Sequence, residues 1–380
     1  MILYLTHNDQ PSGVYWSQVT DVVAHLNTLG GERVRLVALV SARGFLRTRR
    51  SIRAHAPDAL VLPMVPRMER WRANAAIVAG LCRLLRPEGI ICRGIFATWM
   101  ALRARDKGLT KRVCFDGRGA YAAEWEEYRL IDNDALIAQF RPTEQEAVRR
   151  SDIRLAVSEA LIQHWRERYC YTGREHVVVP CALGRDHAAR GSEQQRQALR
   201  KELGVGADDV LLVYAGSVAG WQSFTVLRGL LDGWLAADPR VRMLFLSAQA
   251  PEIEALKARY PGRVFDRWVR PAEVHGLLEA CDHGLLLRAD TLTNRVSSPT
   301  KFAEYLAAGL PVIVSPGIGD FSALVERERL GRVVRAGETS PVPGPTPAHE
   351  RERLQRYARE RLSKSAFDAE YRRLLNVLST

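Results

Sequence analysis

The sequence predicts an α/β protein made of two doubly wound domains, each a parallel sheet with helices on both faces. Three observations predict it. Short β-branched or apolar runs alternate with longer helical patterns, as stacked βαβ units require. The alternation breaks near residues 181–195 and then begins again. The chain has 380 residues, and at roughly 100–200 residues per domain that leaves room for two cores.

The elements follow in order. In the first half, the runs at 2–6, 34–39, 89–92, 113–115, 153–157 and 177–179 read as strands. They are continuous apolar runs rather than alternating ones, as expected of strands covered on both faces. Residues 15–29, 73–85, 133–150 and 159–169 read as helices, and the segment between 115 and 133 as a polar loop. Pro180 and Gly184 interrupt the pattern, and a charged helical segment at 192–203 stops at Gly204. The second series has strands at 210–215, 241–246, 264–265, 284–287 and 312–314. Residues 336–347, rich in Gly and Pro, form a loop, and 350–378 read as an amphipathic helical tail. The expected domains are 1–183 and 184–360, followed by a C-terminal helix at 361–380. Doubly wound sheets bind ligands beyond the carboxyl ends of their strands. Chemistry is therefore expected in the loops after Thr6, Cys92, Phe115, Ala215, Leu287 and Val296.

Composition excludes several classes. With 47% hydrophobic and 26% charged residues, the chain is neither disordered nor fibrous. No apolar run approaches the roughly 18–20 residues of a membrane-spanning helix, and the N-terminus lacks the basic region of a signal peptide. The six cysteines show no C-x-x-C pairing, which points away from zinc and disulfides and toward a reducing cytosol. The net charge is +12, yet residues 33–112 hold eighteen Lys or Arg against four acids. Phe45, Leu46, Ile52 and Trp71 are interleaved with these arginines, a composition suited to an anionic membrane surface or a polyanion. A solvated arginine-rich face reads equally well from the same residues.

The strongest chemical signal is the segment 295–320. Ser297 and Ser298 are N-cap candidates, Pro299 suits a first turn, and residues 301–308 form a helix stopped by Gly309. The backbone N–H groups of Pro-Thr-Lys at 299–301 and the positive end of the helix dipole make a site for a diphosphate, to which Lys301 adds a charge. Glu304, one turn on, is placed to accept from a ribose diol; a capped helix with a surface Glu is the plain alternative. Gly13 permits close approach of a phosphate or acceptor. Asp116 and Arg118, in a glycine-flanked loop at a strand end, read either as exposed functional charges or as an internal pair holding that loop. Glu124, Glu126 and Glu127 read as a solvated acidic face, Trp221 as buried, and His7 as a distant candidate. No Ser-His-Asp order, H-E-x-x-H or P-loop pattern is read.

Residues 298–313, Ser-Pro-Thr-Lys-Phe-Ala-Glu-Tyr-Leu-Ala-Ala-Gly-Leu-Pro-Val-Ile, resemble the donor-binding signature of retaining family-four glycosyltransferases of the GT-B fold. Shorter resemblances keep the family's order at 12–13, 115–119, 156–158, 179–181, 214–221 and 281–282. The resemblance implies two Rossmann-like domains facing each other across a cleft, with the last helix packing back on the N-terminal domain. It implies a nucleotide-sugar site at Ser298, Pro299, Thr300, Lys301 and Glu304, with Gly216, Ser217, Arg288 and Gly13 nearby, and catalytic roles for Lys301, Asp116 and Arg118. Three departures stand out. Val296 occupies the position of a sugar-contacting Glu, Asp116 replaces a His, and residues 216–222 carry no cation where the family has a basic pair. Arg288, Arg295 and Lys301 remain to balance a diphosphate.

The expectation is a cytoplasmic retaining glycosyltransferase, peripheral on the inner membrane face, in bacterial cell-surface polysaccharide or glycoconjugate synthesis. It would use a UDP-sugar ahead of a GDP-sugar and a glycan or lipid-linked acceptor, with no cofactor and no metal. The alternatives are a basic nucleic-acid-binding protein and a nucleotide-sugar epimerase of the same fold. Nucleic acid is not the expected partner.

Overall fold

The computed structural model describes residues 1–129, 132–184, 193–216, 224–335 and 341–380. The chain divides into two compact units, Met1–Gly184 with Lys364–Thr380, and Arg185–Ser363. The first unit holds β1 (Ile2–His7), β2 (Val34–Val40), β3 (Leu60–Pro63), β4 (Gly89–Arg93), β5 (Arg112–Gly117), β6 (Ile153–Ala156) and β7 (His176–Val178). They form one parallel sheet in the order β3-β2-β1-β4-β5-β6-β7. The second unit holds β8 (Val210–Ala215), β9 (Val241–Leu246), β10 (Val264–Asp266), β11 (His283–Leu286), β12 (Val312–Val314) and β13 (Gly331–Val333). These are again parallel, ordered β10-β9-β8-β11-β12-β13.

Every residue of β1 and of β8 is buried, which is why their sequences run apolar without alternating. In each sheet the chain winds outward from the middle strand in one direction and then returns to build the other side. The order thus reverses between β1 and β4 and again between β8 and β11. At such a reversal the connecting loops diverge and leave a crevice beyond the strand ends.

The α/β class holds, and several local expectations change. Helix Gly94–Asp106 follows β4, where no helix is read from the sequence. It buries residues on all sides, Ile95, Ala97, Met100, Ala101 and Leu102 among them, so it carries no amphipathic stripe to recognise. The segment expected as a polar loop contains helix Tyr121–Tyr128. Its first N–H groups, on Tyr121 and Ala122, donate to the Glu144 carboxylate at 3.1 and 2.9 Å. That carboxylate comes from the neighbouring helix Asp134–Arg150, so the cap is supplied from outside the segment.

The expected tail is two helices, Ala348–Arg361 and Asp368–Ser379, separated by a turn at Lys364–Phe367. The unit boundary falls in that break. Lys364 Nζ donates to the Leu183 carbonyl at 2.6 Å. This buried bond fixes the returning chain beside the segment that leaves the first unit.

Burial pushes the Glu144 carboxyl up to about 7 against its three hydrogen-bond donors, the third being the Tyr169 hydroxyl. A carboxyl raised on folding contributes stability that is complete below its unfolded value and is lost as pH rises through the folded one. Urea unfolding should therefore show the protein weakening between about pH 4.5 and 7, and Glu144→Gln should flatten that slope.

Candidate functional site

In the second unit the reversal lies between β8 and β11, and the hydroxyl of Tyr305 joins the two strands. It accepts from the Ala215 N–H at 2.9 Å and donates to the Leu285 carbonyl at 3.3 Å. A side chain at Gly284 would lie 2.4 Å from the Tyr305 ring, so the ring rests directly on β11. Tyr305 belongs to helix Thr300–Ala307, and the strut thereby sets this helix against the strands that end at Gly216 and precede Arg288.

The entry to that helix is held by Asn294, which is fully buried. Its Oδ1 accepts from Arg288 Nη1 at 3.2 Å, and its Nδ2 donates to the Ala289 carbonyl at 3.0 Å. Its carbonyl accepts from the Ser297 hydroxyl at 2.9 Å and from the Gly319 N–H at 3.1 Å. Gly319 has φ +46°, and a Cβ there would sit 1.9 Å from the Ser297 carbonyl oxygen. Only glycine lets the two loops approach so closely.

The expected capping is corrected. Pro299, not Ser297 or Ser298, is the N-cap, and the Ser297 hydroxyl is turned to Asn294. Ser298 is buried. The N–H groups of Thr300 and Lys301 fall in the first turn, where helix geometry supplies no partner within the helix.

The expected anion ligands are engaged within the protein. Lys301 Nζ donates to Glu304 Oε2 at 2.5 Å, with side chains 25% and 12% exposed. Arg295 makes a two-point pair with Asp290 at 2.6 and 2.7 Å. Arg288 is held by Asn294 and, through its N–H, by the Ser315 hydroxyl at 2.8 Å. Val296 is buried, so its position is an apolar one. Ser217 and Trp221 lie outside the described residues.

In the first unit, Asp116 is not the exposed loop charge of the first reading; of the two alternatives, the structure has the internal pair. It lies in β5 and is fully buried. Its Oδ2 accepts from the Tyr4 hydroxyl at 2.5 Å. Arg118 Nη1 stands 3.5 Å from Oδ1, and Arg93 Nη1 stands 4.0 Å from Oδ2. Arg93 also faces Asp9 at 3.6 Å, while Arg118 Nη2 donates to Gln18 at 2.9 Å. These residues gather at the carboxyl ends of β1, β4 and β5. Sequence reading missed Asp9, Arg93 and Tyr4, because nothing local distinguishes a cation that answers a distant acid from one on the surface. Gly13 opens the helical turn Gly13–Tyr15 and is exposed. His7 is buried, and burial lowers its pKa to about 4.

Glu126 pairs with Arg141 at 2.6 Å, while Glu124 is half-buried and Glu127 exposed. The expectation of no metal rests on the sequence offering no Asp-x-Asp pair, but Asp132-Asn133-Asp134 is one; it stands at a helix start, where Asn133 accepts from the Leu136 N–H at 3.0 Å.

The basic stretch is also less free than its count implies. Arg103 pairs with Glu146, and Arg105 and Arg112 with Asp152, all acids from outside residues 33–112. Ile52 and Trp71 are fully buried, while Leu46 is 75% exposed. On helix Phe45–His55 the side chains of Arg47, Arg49, Arg50 and Arg53 are exposed. Among the described residues, no helix is long and apolar enough to cross a membrane.

Removing one member of a buried ion cluster leaves the others uncompensated, at a cost of about 3–5 kcal/mol. Asp116→Asn should lower the urea midpoint accordingly, whereas a surface role for Asp116 predicts a change within about 0.5 kcal/mol.

No protein-family model matches the chain, and no curated protein sequence matches it. Solved structures do. The Anabaena protein HepE in complex with UDP-glucose superposes with a TM-score of 0.71 at 15% identity, covering 99% of each chain. Sucrose-phosphate synthase from Thermosynechococcus elongatus gives 0.69 at 14%, covering 99% of this chain and 98% of that one. WaaG, a glycosyltransferase involved in lipopolysaccharide biosynthesis, gives 0.59 at 13%, covering 100% and 95%. At such identities the likeness is one of fold: this chain has the two Rossmann-like domains of GT-B proteins.

Proposed function

We propose that the protein is a glycosyltransferase of the family-four type, moving a sugar with retention from a nucleotide-sugar, a UDP-sugar ahead of a GDP-sugar, to a glycan or lipid-linked acceptor. The observation that carries this reading is the Tyr305 strut. It holds the start of helix Thr300–Ala307 by the β8–β11 reversal, the place in a doubly wound sheet suited to a diphosphate. The HepE complexes with UDP and UDP-glucose support the donor class, and WaaG supports a role in cell-surface glycan synthesis.

In this reading the diphosphate lies over the Thr300 and Lys301 N–H groups, and Glu304 accepts from the ribose. The Lys301–Glu304 pair then opens. A pair three residues apart on a helix is worth at most about 1 kcal/mol, less than the 1.5–3 kcal/mol or so of each charge-assisted bond gained. Breaking the glycosidic bond moves charge onto the leaving diphosphate. Amides and a cation held in place there stabilise the transition state more than the ground state. The acceptor hydroxyl attacks from the leaving-group side and gives its proton to the departing diphosphate oxygen, so no protein nucleophile is needed. Asp116 acts within the first unit, fixing Arg93 and Arg118.

Two variants separate the roles. Glu304→Gln should weaken calorimetric donor binding in a protein that still folds. Lys301→Ala should lower kcat by more than it raises the donor KM. Unchanged donor affinity in Glu304→Gln contradicts the ribose assignment, and an unchanged kcat moves the cation to Arg288 or Arg295.

The helix Phe45–His55 carries the proposal of docking on an anionic membrane. Each exposed arginine near such a surface contributes about 1 kcal/mol, with Leu46 available to insert. Replacing Arg47, Arg49, Arg50 and Arg53 with Ser should abolish salt-sensitive co-sedimentation with phosphatidylserine vesicles. Wild-type protein that ignores these vesicles at low ionic strength contradicts docking, and binding to nucleic acid in its place favours a polyanion-binding role.

A further inference from the structure

The reversal between β1 and β4 in the first unit has its own cavity, of about 170 Å³. This is below the roughly 300–1,000 Å³ of pockets that take drug-sized ligands, so it has room for about one ring. Its lining includes three aromatic side chains, Phe96, Trp125 and Phe140, with the Trp125 and Phe140 rings 4.3 Å apart. It also includes the polar side chains of His7, Asp9 and Arg93 from the ends of β1 and β4, and the His7 ring meets Phe96 edge-on at 5.8 Å. Helix Gly94–Asp106 and helix Tyr121–Tyr128 supply Phe96 and Trp125, so two of the elements that the sequence reading did not identify contribute to the apolar lining.

The charges at this floor cancel. Asp9 and Asp116 answer Arg93 and Arg118, two carboxylates to two guanidiniums. His7 is neutral at pH 7. Asn74 Oδ1 accepts from the Val65 N–H at 2.7 Å, which turns the Asn74 amide toward His7 Nε2 at 3.2 Å. That nitrogen is therefore an acceptor, and burial lowers the ring's pKa to about 4. An anionic ligand finds no uncompensated cation here. Asp9 keeps a third of its side chain exposed, 3.6 Å from Arg93, longer than a good hydrogen bond. A carboxylate with spare acceptor capacity in a cavity that is also lined by aromatic rings matches a ring that has hydroxyls on its edge and C–H groups on its face.

We infer that this cavity is the subsite for one uncharged sugar ring of the acceptor, with Asp9 accepting from its hydroxyls and Trp125 packing on its face. The inference rests on the glycosyltransferase reading for the word acceptor; the ring's chemistry comes from the cavity alone. The closed charge balance disfavours a charged sugar. An alkyl chain is disfavoured by Asp9 and Arg93, which would lose water without gaining partners.

The test uses saturation-transfer NMR on the full-length protein. The probes are methyl glucoside, methyl galactoside and methyl mannoside, against methyl glucuronide, glucose 6-phosphate and octanol, each with and without UDP. At least one neutral glycoside should bind, the charged sugars should not, and Asp9→Asn should weaken the glycoside by about tenfold or more while UDP binding is unchanged. Trp125→Leu, which leaves the ion cluster intact, should also weaken it. Preference for the charged sugars or for octanol overturns the inference, as does wild-type affinity in both folded variants. If UDP binds and no neutral glycoside does, this subsite falls and the donor reading stands. If a glycoside binds at Asp9 and no nucleotide binds, the donor reading falls and the sugar subsite stands.

Discussion

Where a parallel sheet reverses its strand order, the flanking loops leave in opposite directions, and neither covers the gap between the strand ends. Both units of this protein are organised around that constraint. In the second, Tyr305 closes the seam from below through its hydroxyl and leaves the space above it to Gly216, Arg288 and the start of a helix. In the first, Tyr4 reaches from β1 to Asp116 in β5, and two arginines gather on that carboxylate. One seam is held by a neutral hydroxyl on backbone, the other by a charged cluster. The difference follows from what each side chain meets: Tyr305 spans between backbone groups, whereas Asp116 needs cations to be buried at all.

The sheet was legible in the sequence because strands buried on both faces must be apolar throughout, and the runs at 2–6 and 210–215 leave little choice. The helix start at Thr300 and its stop before Gly309 were legible too, since helix ends are written locally. The serine capping read there was not, because Pro299 holds the N-cap and the Ser297 hydroxyl goes to a carbonyl that the sequence does not place beside it. What escaped was set by distant partners. Helix Gly94–Asp106 is covered on every side, so no stripe announces it. Helix Tyr121–Tyr128 is capped by Glu144 from another helix, so its own first residues carry no start signal. The tail splits where Lys364 reaches the Leu183 carbonyl, a bond invisible in the amphipathic pattern.

Charge was the least legible property. The excess of arginine over residues 33–112 is real, yet several of these side chains answer acids from elsewhere in the chain, and Arg93 is part of a buried cluster. Counting charges along the sequence misses such partners, so a basic stretch overstates the basic surface. Exposed positive charge survives on helix Phe45–His55, at Arg47, Arg49, Arg50 and Arg53, and also off it, at Arg43, Arg67, Arg70, Arg83 and Arg86 among others. At the candidate sites the lesson is the same. Lys301 and Glu304 were read as ligands of different parts of one donor, and in the structure they pair with each other.

The central claim is that the β8–β11 seam binds a nucleotide-sugar. The most direct measurement is thermal unfolding of the full-length protein with UDP-, GDP- and dTDP-sugars in turn. A donor at a hundred times its Kd stabilises by about 2.7 kcal/mol. The account predicts a shift of that size for a UDP-sugar, lost in Glu304→Gln. A protein that none of these donors stabilises, or one stabilised equally in Glu304→Gln, contradicts it.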